Sequence, residues 1–150
     1  MARAWWFSPV ALILVIAGGA LGVAARAALT LPIGADAHPL VVPAVTLAIN
    51  VAGSFLLGAV VGCLGDRHPR ARAFFGTGVL GGFTTYSAFA VQTVTLSSTS
   101  PVVGLALAAV SLFAGVLAAA FGLAAGTRAA GARATGTPGA PGAIRPEDAE

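Results

Sequence analysis

Four apolar runs, each long enough to cross a bilayer, leave this chain little choice of fold. They cover about residues 7–29, 39–64, 71–96 and 101–126, and a helix needs roughly 20 apolar residues to span a hydrocarbon core of about 30 Å. The chain has 150 residues, 57% of them hydrophobic and 9% charged, and a mean hydropathy of +0.92. Soluble domains are about 25% charged. Residues 1–126 therefore read as one four-helix transmembrane domain, an all-α membrane protein, with no room for a separate catalytic or nucleic-acid-binding module.

The first run follows Arg3, Trp5 and Trp6, a basic residue and aromatic anchors of the kind found at a membrane interface. A basic start before an apolar stretch also resembles a signal peptide, but the length of this run and the three that follow favour a retained span. The links are short: Leu31 to His38, Gly65 to Arg72, and Ser97-Ser98-Thr99-Ser100. Residues 127–150 are rich in Gly, Ala, Pro and Thr and end on Glu147-Asp148-Ala149-Glu150, the composition of a disordered tail.

All eight basic residues are Arg. With four crossings, Arg3, the second link (Arg67, Arg70, Arg72) and the C-terminal Arg128, Arg133 and Arg145 fall on one side, and Arg26 alone on the other. The positive-inside rule then places both termini in the cytoplasm of a cell whose plasma (inner) membrane holds the protein. The basic balance is thus a topology signal, not a sign of a nucleic-acid partner.

Each run carries two glycines four apart: Gly18 and Gly22, Gly58 and Gly62, Gly78 and Gly82, Gly122 and Gly126. In lipid, where apolar helices gain nothing by leaving their solvent, small residues that allow close backbone approach hold a bundle together. Cys63 has no partner for a disulfide and reads as packing.

The third run is interrupted by Gly81-Gly82-Phe83-Thr84-Thr85-Tyr86-Ser87-Ala88-Phe89. Polar, glycine-broken backbone at membrane depth is tolerated only inside protein or against a wet cavity, and broken spans commonly form ion or substrate sites. A break after Gly81-Gly82 would free carbonyls able to face a hard cation. In the second run Thr46, Asn50 and Ser54 share one helix face. That stripe is either interhelical glue or a row of donors for an anion. Tyr86 and Phe89 likewise share a face past the break, as packing or as ring edges, which are electropositive, turned to an anion.

No acid lies in any run: Asp36 and Asp66 are in links and the others in the tail. Proton-coupled transporters place Asp, Glu or His in the bundle, so proton coupling is disfavoured. His38 and His68 are isolated, no base accompanies a serine, and no glycine cluster is followed by Lys-Ser/Thr, so zinc, nucleophilic and phosphate-loop chemistry are set aside and the chain does not read as an enzyme. Arg26 ends the first run, where it can snorkel, pair structurally or draw anions into a vestibule.

Together these residues resemble the Fluc/CrcB family of fluoride channels, over nearly all of residues 17–126. Gly18-Gly19-Ala20-Leu21-Gly22-Val23-Ala24-Ala25-Arg26 looks like the family's first-span signature. Thr46 to Gly58, with Asn50, is similar to its second-span motif, and Gly81 to Phe89 to its broken third span. The resemblance implies a passive fluoride-selective channel that lowers cytoplasmic fluoride, built as an antiparallel dimer with a structural Na⁺ at its centre. Carried over, Gly81 and Thr84 supply the Na⁺-binding carbonyls, Asn50 the pore donor, Tyr86 and Phe89 the aromatic box, and Thr46 with Ser111 part of a polar track. The family usually has Phe at position 86, Thr at 88 and often Glu at 92, where this chain has Tyr86, Ala88 and Gln92, and Leu107 replaces a common Tyr. Members encoded in pairs can each hold one orientation, so the arginine bias admits a heterodimer with an inverted homologue as well as a homodimer. The other reading is a small multidrug-type exporter subunit, against which the missing first-span acid speaks. A third is a packing subunit without transport.

Overall fold

The computed structural model describes residues 8–34 and 36–135; Arg3, Trp5, Trp6, Arg145 and the acidic end lie outside them. Among the described residues all regular structure is helical: α1 (Pro9–Thr30), α2 (Val41–Leu64), a third run composed of α3 (Pro69–Ala71), a π-helical segment (Arg72–Leu80), α4 (Gly81–Phe83) and α5 (Tyr86–Thr99), then α6 (Pro101–Thr135). Three of these helices, α1, α2 and α6, are long and apolar enough without interruption to cross a membrane.

Local chemistry sets the ends. The Ser8 hydroxyl accepts from the Ala11 N–H at 3.1 Å, and Pro9 follows at the first helical position, where its missing N–H costs nothing. Gly65 closes α2 at φ +50°, a conformation that glycine adopts freely. Ser100, extended before Pro101, separates α5 from α6, as steric conflict with the proline ring requires. α6 does not stop near Gly126 but continues through Thr135. The first part of the expected disordered tail, residues 127–135, is therefore helical, and the remainder lies outside the described residues.

The glycine pairs build the bundle. A Cβ on Gly22 would lie 2.7 Å from the Phe83 N and against the Val79 carbonyl, and one on Gly18 would meet the Phe74 carbonyl and, at 3.0 Å, Gly78 Cα. The register rises together, so α1 and the start of the third run lie parallel. Likewise Gly58 and Gly62 face Ala119 and Leu123, and Gly122 and Gly126 face Phe55 and Ala59, pairing α2 with α6 in parallel. The two pairs touch each other sparingly, and α5 crosses between them onto α6 and α2.

Large apolar side chains face outward: Leu12 is 61% exposed, Val94 70% and Phe121 68%. In water such a surface would be an aggregation hazard; in hydrocarbon it is solvated.

Candidate functional site

Helical geometry in the third run is lost at Thr84 and Thr85, not at the glycines. Gly81 keeps φ −65° and ψ −37°, and Gly82 spends its missing side chain on close approach to the Gly19 carbonyl. Thr84 ends the helix with both its N–H (3.1 Å) and its hydroxyl (2.9 Å) on the Leu80 carbonyl, then turns extended at ψ 158°. Thr85 is extended as well, at φ −145° and ψ 113°, a conformation that β-branched residues favour.

Two extended residues cannot sustain the helical hydrogen-bond ladder, and buried backbone groups need other partners. Asn50 supplies them. Its Nδ2 donates to the Thr85 carbonyl at 3.0 Å, and its Oδ1 accepts from the Thr85 N–H at 2.8 Å. The Thr85 hydroxyl accepts from the Ala88 N–H at 3.2 Å and so caps α5, as threonine commonly does.

These bonds decide which carbonyls lose their donors. In an unbroken α-helix Gly81 would receive the Thr85 N–H and Thr84 the Ala88 N–H. Both N–H groups are committed elsewhere. Of the two carbonyls between them, that of Gly82 accepts from Arg26 Nε at 3.3 Å. Arg26 is thus paired to the backbone, the structural alternative among those its position allows.

Beside this segment a cleft of about 1400 Å³ opens between the two helix pairs. Its wall includes Asn50, Ser54, Gly81, Thr84, Tyr86, Phe89 and Ser111. The structure therefore brings six of the candidate residues to one surface, while Thr46 and Arg26 stand behind it. Tyr86 is 81% exposed, and its ring centroid lies 6.0 Å from that of half-buried Phe89 at an interplanar angle of 51°. Thr46 is only 4% exposed and accepts from Gln92 Nε2 at 2.9 Å. The Ser111 hydroxyl, shut off from solvent, has no hydrogen-bond partner.

Asn50 is less free than the sequence suggests. One of its two amide hydrogens is on Thr85, which leaves one for anything in the cleft. Sequence reading gave no role to Thr85 or to the Gln92–Thr46 bond. A helix-capping threonine directly before an aromatic helix start was the available signal for the first; a contact across 46 positions leaves none for the second.

The family model described as "CrcB-like protein, Camphor Resistance (CrcB)" matches residues 13–123, a stretch that contains every candidate residue. "Fluoride-specific ion channel FluC 2" of Leifsonia xyli subsp. xyli (strain CTCB07) is 47% identical over 109 residues, 69% of this chain and 73% of that protein. The protein of the same name from Bacillus subtilis (strain 168) is 43% identical over 119 residues, 78% of this chain and 88% of that protein. "Fluoride-specific ion channel FluC" of Cereibacter sphaeroides (strain ATCC 17029 / ATH 2.4.9) is 42% identical over 104 residues, covering 69% and 82%. With most of its length matched by the family model and by these relatives, the chain belongs to the CrcB-like family.

Proposed function

We propose that this chain is a subunit of a passive, fluoride-selective channel in the plasma membrane. The observation that carries the reading is the meeting of Asn50, Tyr86, Phe89 and Ser111 on one cleft beside extended backbone, within a bundle of apolar helices. The names of the relatives, fluoride-specific ion channels, supply the ion. Fluoride holds its water tightly, so a path must offer donors that replace hydration yet release the ion. The remaining Asn50 N–H, the Ser111 hydroxyl and the Tyr86 and Phe89 ring edges are donors of that graded kind, and Thr46 extends the track behind Asn50. Fluoride entering as neutral HF dissociates in the cytoplasm, and the negative interior drives the anion out without coupling.

We further propose an antiparallel dimer, either a homodimer or a heterodimer with an inverted homologue. The third run is its broken span, sheltered at the junction. Tyr86, 81% exposed in one chain, is the ring a second subunit would cover. Two neutral carbonyls per chain, those of Gly81 and Thr84, have lost their helical donors and belong to residues on the cleft wall. Oxygen donors without a carboxylate suit a hard monovalent cation, so the residues fit a structural Na⁺ at the subunit junction. Cys63 Sγ lies 3.4 Å from the Gly126 carbonyl, which puts the Arg67–Arg72 link and Arg128 at one end of the bundle. That favours cytoplasmic termini.

The test is fluoride-electrode efflux from proteoliposomes holding this chain alone and with any inverted homologue encoded beside it. Flux that is absent in both, with folded protein in the membrane, overturns the channel reading; robust flux from the chain alone removes the need for a second gene product. A proton-coupled multidrug exporter is the competing function, and the absence of an acidic residue from all four apolar runs argues against it.

A further inference from the structure

We propose that Thr85 is a positioning residue for the junction cation: its hydroxyl and its N–H together keep the Thr84 and Gly81 carbonyls open to the ion. This rests on the cation-bridged dimer proposed above.

Both diverted bonds pass through this one residue. The Thr85 N–H, the natural donor to Gly81, is held 2.8 Å from Asn50 Oδ1. The Ala88 N–H, the natural donor to Thr84, is held 3.2 Å from the Thr85 hydroxyl. Capping is ordinary helix chemistry; here it also withholds a donor from the carbonyl of Thr84, a residue of the cleft wall. The neighbouring Gly82 carbonyl, which Thr85 does not govern, accepts from the Arg26 guanidinium, a cation that disfavours a second one beside it. Of the Gly81, Gly82 and Thr84 carbonyls, the one that Arg26 takes is the one that Thr85 does not control. Replacing Thr85 by Val keeps the branched shape and the extended backbone but removes the acceptor. The Ala88 N–H is then released to the nearest unpaired carbonyl, that of Thr84, and competes with the cation.

The experiment follows thermal melting of the full chain in lipid nanodiscs as NaCl replaces N-methylglucamine chloride at constant ionic strength, since an ion that binds only the folded assembly raises its melting temperature with concentration. The wild type and Thr85→Ser are expected to share one Na⁺ midpoint, because serine keeps the acceptor. Thr85→Val is expected to need about tenfold more Na⁺, the equivalent of one lost hydrogen-bond-scale interaction. If Thr85→Val does not assemble, Thr85→Ala is read in the same way. A lower melting temperature at every Na⁺ concentration with an unchanged midpoint marks a purely structural role and overturns the inference. So does a serine variant as impaired as the valine one. A wild type that ignores Na⁺ removes the cation reading and this inference with it, whereas a responsive wild type matched by Thr85→Val removes this inference alone.

Discussion

The Asn50 side chain and the Thr85 peptide exchange two hydrogen bonds, 3.0 Å from Nδ2 to the carbonyl and 2.8 Å from the N–H to Oδ1. The amide thus does for Thr85 what a neighbouring strand does in a sheet. Away from water, such satisfaction is what permits extended backbone to persist within a bundle. The same side chain therefore both fixes the interruption and lines the cleft, so a single truncation does not separate its part in folding from the part in conduction proposed for it.

Substitutions at Asn50 are expected to show this coupling. Asn50→Leu leaves a donor and an acceptor unpaired, at about 1–3 kcal/mol for each group. It should lower the melting temperature and abolish fluoride efflux together. Asn50→Asp retains the acceptor for the Thr85 N–H, loses the donor and adds a charge that repels an anion. It should keep more of the stability while flux falls roughly tenfold or more, the equivalent of 1.4 kcal/mol. Melting curves alongside fluoride-electrode traces on the two variants check this; equal loss of both properties in the two would count against a conducting role.

The glycine seams are expected to tolerate no side chain where they meet backbone. In Gly22→Ala the new methyl would lie 2.7 Å from the Phe83 N, and in Gly126→Ala it would lie 2.9 Å from the Cys63 N. Backbone cannot swing aside as a flexible side chain can, so each change should cost about 1–3 kcal/mol or more. Gly115→Ala is the control, because its nearest neighbour would be Ser54 Oγ at 3.7 Å, an ordinary contact. Size-exclusion profiles and thermal melts of the three variants should separate the first two from the third.

Much of this arrangement was legible in the chain itself, and the exceptions share a cause. The apolar runs at 7–29 and 39–64 lie close to α1 (Pro9–Thr30) and α2 (Val41–Leu64), and all four glycine pairs meet a partner helix, since both signals depend on composition along one segment. The position of the interruption was read from Gly81-Gly82, where flexibility is greatest. The expected place was after those glycines, and helical geometry is lost there, at Thr84-Thr85; which residues turn extended is decided by the Asn50 amide, 35 positions away, and the Gly19 carbonyl against Gly82. The Gln92–Thr46 bond escaped for the same reason. The end of α6 was missed differently. The stretch 127–135 was averaged with a proline-bearing tail, although it has no Pro and is dominated by Ala and Arg, strong helix formers.

The aromatic pair is expected to act through its rings. Tyr86 is 81% exposed on the cleft and its hydroxyl makes no hydrogen bond among the described residues, so Tyr86→Phe should leave efflux nearly unchanged. Phe89→Ile replaces an electropositive ring edge with a smaller branched aliphatic side chain, and flux should fall while melting changes little, because Phe89 is only half buried. Efflux rates normalised to reconstituted protein decide the matter; a Phe89→Ile channel as active as the wild type would assign the ring to packing.

Behind the cleft, the Gln92 amide donates to the Thr46 hydroxyl at 2.9 Å, with Thr46 only 4% exposed. A hydrogen bond between membrane helices is worth about 0.6 kcal/mol on average and at most about 1.7, so neither partner alone should govern folding. Gln92→Leu strands a buried hydroxyl, and Thr46→Val strands an amide. The double variant strands neither, and should recover part of the stability lost by each single change. If Thr46 serves only as glue, fluoride efflux in the double variant should recover in step with melting temperature. If its hydroxyl is part of the ion's polar track, efflux should stay depressed while stability returns. The channel reading expects the second outcome, because Thr46 sits one helical turn from Asn50 on the same face of α2, and its own proton, not the bond it accepts, is what an anion would use.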